Sequence, residues 1–95
     1  MPSYVYILAS KKVGALYIAV TSDIIKRISE HKNKIKCDFT SRHNVHRLVY
    51  YEVHGDIVNA ISREKQLKKW ERAWKIKLIE SMNPDWSDLF EKITG

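Results

Sequence analysis

Ninety-five residues leave room for one domain around one core, and the single Cys37 excludes an internal disulfide, as suits a reducing cytoplasm. Hydrophobic residues make up 44% of the chain, enough for that core, and no stretch is long and apolar enough to span a bilayer. Seventeen Lys and Arg against eleven Asp and Glu give a net charge of +6, which favours polyanions: DNA, RNA or an acidic membrane surface.

The N-terminal "MPSYVYILAS" lacks the basic leader of a signal peptide. Its alternation of β-forming residues predicts a strand over 3–9. "KKVG" at 11–14 carries turn chemistry, and "ALYIAV" at 15–20 predicts a second strand, closing a hairpin. Tyr4, Tyr6 and Leu8 share one face of the first strand. A turn centred on Lys11 and Lys12 sets Tyr6 opposite Tyr17.

Thr21 or Ser22 can cap a helix over 22–33, and Asp23 suits its positive end. On a helical wheel Ile24, Ile25 and Ile28 form the buried stripe. Arg27 and His31 lie one turn apart on its rim, where both could simply reach out to water. The polar, basic stretch 34–46 reads as a loop. "HRLVYYEVH" at 46–54 predicts the third strand, and Asp56 caps a long helix.

Ile57, Ala60, Ile61, Leu67 and Trp74 mark the apolar face of that helical region. Glu64 falls inside this stripe. A carboxylate there needs an ion pair, such as one with Lys68 a turn later, or a bound cation. Trp70 and Trp74, a turn apart, suit a packing seam better than a base-stacking platform. A further helix through "RAWKIKLIESM" stops at Asn83-Pro84. "WSDLFEKI" then predicts a short helix or turn. The order ββαβαα(α) describes one α/β domain over 1–95, a small sandwich with a three-stranded, mainly antiparallel sheet flanked by helices. Cys37, His43, His46 and His54 match no zinc spacing.

"YVYIL" followed by "LYIAVTSDIIKRISEH" resembles the GIY-YIG nuclease domain, with Tyr4-Val5-Tyr6 as the first signature and Tyr17-Ile18-Ala19 as the second. Arg27 and His31 stand where that family carries an arginine and often a histidine on the first helix. Glu64 in "AISREKQLKKW" stands at its later glutamate, and Asn83 is the nearest match to its asparagine. The pattern Trp74, Asn83-Pro84, Trp86, Asp88-Leu89 resembles the small stand-alone bacterial branch of the family. Tyr4 and Ala19 replace signature glycines.

The resemblance implies metal-dependent hydrolysis of DNA phosphodiesters. Glu64 would hold one Mg2+ or Mn2+, Arg27 would contact phosphate, and Tyr6 would serve as general base. His31 would take or relay its proton, and Tyr17 would orient water or phosphate. These five residues should then converge on one shallow basic surface. Lys32, Lys34, Lys36, Arg42, Lys65, Lys68 and Lys69 are the expected backbone contacts. No separate DNA-reading segment is visible, so the expectation is low sequence specificity, with a preference for branched or damaged DNA in repair or recombination. Two other classes compete. One is a nucleic-acid-binding module whose catalysis is weakened by Ala19, and the other is a protein-binding domain built on the tryptophan-rich C-terminal helices.

Overall fold

The computed structural model describes residues 2–33 and 45–94. Three strands, β1 (Ser3–Ala9), β2 (Leu16–Thr21) and β3 (Arg47–His54), form an antiparallel sheet in the order β2-β1-β3. The helices are α1 (Ile24–Lys32), α2 (Ile57–Lys69), α3 (Arg72–Met82) and α4 (Phe90–Thr94). Most of the stretch expected to be a loop, 34–44, lies outside the described residues.

Strand β1 is central and its side chains alternate between two apolar layers. Val5, Ile7 and Ala9 join Ala60 and Leu67 of α2, Ile79 of α3 and Trp86 in one layer. Tyr6 and Leu8 join Ile24 and Ile28 of α1 and Leu89 in the other, with Tyr4, Tyr17, Ala19 and Tyr51 packed at its edge. Leu67 and Ile79 are fully buried and fasten their helices to the sheet. Truncating either to Ala costs about 2–5 kcal/mol in such a setting.

The hairpin turn differs from expectation by one position. The amide of Gly14 donates to Lys11 O at 3.0 Å, so the turn centres on Lys12 and Val13. Val13 takes the left-handed conformation (φ 55°). A Cβ on Gly14 would sit 2.4 Å from Ser10 Oγ and 2.8 Å from Lys11 Cγ, so the close approach requires glycine. Arg72 of α3 reaches back and donates to the carbonyls of Val13 and Gly14, which ties the turn to the helical layer. The resulting register sets Tyr6 opposite Ala19 and Tyr17 opposite Leu8. Tyr6 and Tyr17 still share a face, because the register moved by two residues and side-chain direction repeats every two.

Helix α1 is capped by Asp23, whose side chain accepts from the Lys26 amide at 3.1 Å; neither Thr21 nor Ser22 does this. Thr21 closes β2 instead, its Oγ1 accepting from the Asp23 amide. Asp56 caps α2 as expected, accepting from the Asn59 amide at 2.8 Å. The apolar face of α2 is narrower than its sequence suggests. Ala60 and Leu67 are buried, whereas Ile57 and Ile61 are exposed and Trp74 belongs to α3. Extended backbone at Trp70 and Glu71 separates the two helices, so the wheel cannot be continued through it. Asn83 ends α3 where the Asn-Pro pair predicts.

Candidate active site

The buried stripe of α1 is Ile24, Ile28 and His31, at i, i+4 and i+7. Ile25, expected in the stripe, is exposed, and His31 takes its place at 2% exposure. One turn of helix from Ile28 leads directly under the tyrosine face of the sheet. Tyr6 is fully buried there, and its hydroxyl lies 3.0 Å from His31 Nε2. The rings of Tyr6 and Tyr17 both meet the imidazole edge-on, with centroids 5.8 and 5.4 Å away. Tyrosines from the central and edge strands thus clasp one histidine from the helix above.

Burial pulls the His31 pKa down from 6.5 to about 4, the positive charge of Arg27 adds to the fall, and Glu30 partly opposes it. The ring is therefore neutral at pH 7. In its Nδ1–H tautomer it accepts the phenolic proton of Tyr6 as a hydrogen bond. Arg27, half-buried on the same helix, pairs with Glu30 at 3.2 Å. Its positive charge reaches His31, one turn further along the helix.

Glu64 is reached from the other face of the sheet. It is half-buried on α2, and its Oε1 lies 3.5 Å from Lys68 Nζ, the ion pair that its position in the apolar stripe called for. Lys68, Lys75, Leu16, Tyr17 and Ile18 line a cleft of about 390 Å3 along strand β2. The acid's partner and Tyr17 therefore border one cleft, at the edge where the two layers of the molecule meet. Tyr6, Tyr17 and His31 are in contact, and the charge of Arg27 acts on His31 from the same helix. Glu64, in contrast, stands on the helix that packs on the opposite face of the sheet. It approaches this cluster only as far as its partner Lys68, which shares the β2 cleft with Tyr17.

The remaining expected site residues divide. Lys65, Lys68 and Lys69 lie on the exposed side of α2. Lys34, Lys36 and Arg42 fall outside the described residues. Lys32 is a structural strut: its ammonium bonds Asp88 Oδ2, donates to His46 O at 3.2 Å and lies over the Phe90 ring. A cation held in this way has little freedom to follow a phosphate backbone. Asn83 is 5% exposed and fully engaged. Its Nδ2 donates to the carbonyls of Val49 and Ser87, while Oδ1 accepts from Ser87 N and Oγ, so it brackets the turn after α3.

One group escaped the sequence. Glu52 of β3 accepts from Arg63 at 3.1 and 3.2 Å and from Tyr50 Oη at 2.6 Å, and it lies 3.0 Å from His54 Nε2. Burial alone would raise its carboxyl pKa, but the bonds from Arg63, Tyr50 and His54 outweigh this and hold it below the usual range. Arg63 fixes the rotation of α2, and its neighbour in sequence is Glu64. The alternation of Tyr50, Glu52 and His54 on one strand face was the available signal.

A three-stranded antiparallel sheet in the order β2-β1-β3, with a helix after the second strand and another after the third, is the architecture expected of a GIY-YIG domain. The model of the GIY-YIG catalytic domain matches residues 2–77, and the chain belongs to that family. It is 37% identical over 76 residues to a UPF0213 protein of Staphylococcus saprophyticus, covering 80% of this chain and 92% of the relative. It is 38% identical over 84 residues to a UPF0213 protein of Syntrophus aciditrophicus, covering 87% and 94%. The solution NMR structure of a UPF0213 protein from Bacillus halodurans superposes with a TM-score of 0.58 at 27% identity, over 93% of each chain.

Proposed function

We propose that the protein is a metal-dependent DNA endonuclease of low sequence specificity, acting on branched or damaged DNA in repair or recombination. The observation that carries this reading is the buried Tyr6–His31 hydrogen bond, with a histidine kept neutral at pH 7. A neutral imidazole against a phenol has a free lone pair to accept the phenolic proton, although burial makes it a weak base, and phosphodiester hydrolysis begins by removing a proton from water.

Glu64 is the residue that would hold a divalent cation. Its hard carboxylate oxygens are countered by one exposed ammonium, which a cation can replace without leaving the acid unpaired. Among the described residues no three His, Cys, Asp or Glu side chains cluster as a metal cage. One carboxylate completed by waters and substrate oxygens suits Mg2+ or Mn2+. When bound, the ion supplies positive charge to the phosphate and a more acidic water.

The chain's own groups do the rest. Arg27 turns its guanidinium from Glu30 to the phosphate oxygens and steadies the charge that grows on them. Burial is the main cause of the depressed His31 pKa; the arriving phosphate offsets the lesser one, the Arg27 charge, and so raises the basicity of the imidazole in part. Tyr6 is fully buried in the free protein, so this step needs substrate binding to admit a water to its hydroxyl; Tyr6 then passes its proton to His31 Nε2 as it takes one from that water. Tyr17, which also meets the imidazole edge-on and lines the β2 cleft, orients the substrate.

The test is nicking of supercoiled, linear and branched DNA with Mg2+, Mn2+ or EDTA. The wild type should nick only with metal, and Tyr6→Phe and Glu64→Ala should each lose about a hundredfold or more. A wild type that binds all three DNAs yet cuts none with either metal overturns catalysis. That outcome favours the second reading, a binding module, for which Ala19 opposite Tyr6 is the specific observation.

A further inference from the structure

Two aromatic rings remain outside this chemistry. Trp70 packs against the core, and its indole is held from one side by the Arg63 guanidinium, 5.2 Å from the ring centroid. Trp74 meets it edge-on at 5.9 Å and is itself 57% exposed. The two rings, with Lys77, Leu78 and Ser81, line an apolar cleft of about 370 Å3, roomy enough for a planar heterocycle. A large exposed indole beside a preorganised second ring is a costly feature for a surface with no partner.

The charge around the cleft selects the partner. Residues 63–80 hold seven Lys or Arg and three Glu, a surplus of four of the chain's six net positive charges. Lys77 sits in the wall of the cleft. Lys75, next in sequence to Trp74, lines the β2 cleft with Lys68 and Tyr17. The two clefts thus flank α3, one apolar and aromatic, the other an apolar floor of Leu16, Tyr17 and Ile18 bordered by the ammonium groups of Lys68 and Lys75. A nucleic-acid strand offers that pairing of surfaces, with bases on one side and phosphates on the other.

We propose that the Trp70–Trp74 cleft seats an unpaired nucleobase of the strand whose phosphates run along the Lys68–Lys75 cleft. This rests on the nucleic-acid reading above and deepens it, because a base can enter only where the duplex is open. Stacking on Trp74 would direct the protein to single-stranded segments, flaps and branch points rather than to intact duplex.

The experiment measures anisotropy of fluorescein-labelled oligothymidylate and of a duplex of equal length, in EDTA so that nothing is cut. Trp74→Ala should weaken oligothymidylate binding about tenfold and leave duplex binding unchanged, while Trp74→Phe keeps most of the affinity. Trp74 is exposed, so these variants fold, and circular dichroism checks that they do. Equal weakening on both DNAs, no weakening on either, or a Trp74-dependent dimer in sedimentation velocity overturns the proposal. If the wild type shows the Trp74-dependent preference but never nicks, catalysis falls and the base site stands; nicking without the preference gives the reverse.

Discussion

Acidification should destabilise this protein through one imidazole. An unfolded histidine takes up its proton near pH 6.5, whereas His31 in the folded chain resists until about pH 4. Between those values the unfolded state binds more protons, so stability falls as pH falls, and the loss is complete only below both. At 1.36 kcal/mol per pH unit, the folded state gives up about 2 kcal/mol by pH 5 and about 3 kcal/mol by pH 4. His31 is almost wholly buried, so solvent screening does little to soften this. With a urea slope of about 1–2 kcal/mol per molar, the midpoint should drop by about 1–2 M between pH 7 and pH 5. The control is His31→Gln, which keeps a polar group near Tyr6 but does not titrate. Because the other histidines are common to both proteins, the difference between the two curves isolates His31. Parallel curves from pH 7 to 5 would refute the claim that the fold holds this ring neutral.

Three further outcomes are open to measurement. Ala19→Gly removes a methyl group opposite Tyr6; if that methyl displaces the phenol, nicking should rise by up to about a hundredfold, and unchanged rates with both metals would show the position to be neutral. Log DNA affinity should fall linearly with log salt, and Lys68→Ala with Lys75→Ala should lower the slope by about two; a flat salt response would favour a protein partner. Asn83→Ala should cost about 2–4 kcal/mol in chemical denaturation by stranding the Val49 and Ser87 carbonyls, while nicking at permissive temperature persists; selective loss of activity in a fully stable variant would contradict its bracketing role.

Much of this architecture is legible in the chain. The three strands, the Asp56 cap and the stop at Asn83-Pro84 follow from local chemistry that tertiary contacts do not override. The spacing of Tyr6, Tyr17, Arg27, His31 and Glu64 pointed to the family that the match over residues 2–77 establishes. What escaped depends on partners distant in sequence. Ile25 is more apolar than His31, and only the tyrosines across the sheet explain why the helix turns the histidine inward. Lys32 looked like a surface cation because its partner Asp88 lies 56 residues further on. The hairpin register hung on whether Gly14 lay inside the turn, which composition does not decide.

Arg63 and Glu64 are neighbours on α2 yet attend to opposite margins of the sheet, Arg63 bound to β3 through Glu52 and Glu64 joined through Lys68 to the cleft along β2. Successive residues on a helix point about 100° apart, so the arginine acts as a timing mark that sets which way the acid faces. Chain length is then constrained very unevenly. A residue added ahead of Asp56 merely lengthens a connection, because the helix after it can settle in the same phase. A residue added or lost between Asp56 and Arg63 leaves the cap and the anchor asking for different rotations, and the helix can satisfy only one. Deletion scanning across 55–62 should therefore show a sharp boundary at the cap, with tolerance at Gly55 and none from Ile57 to Ser62.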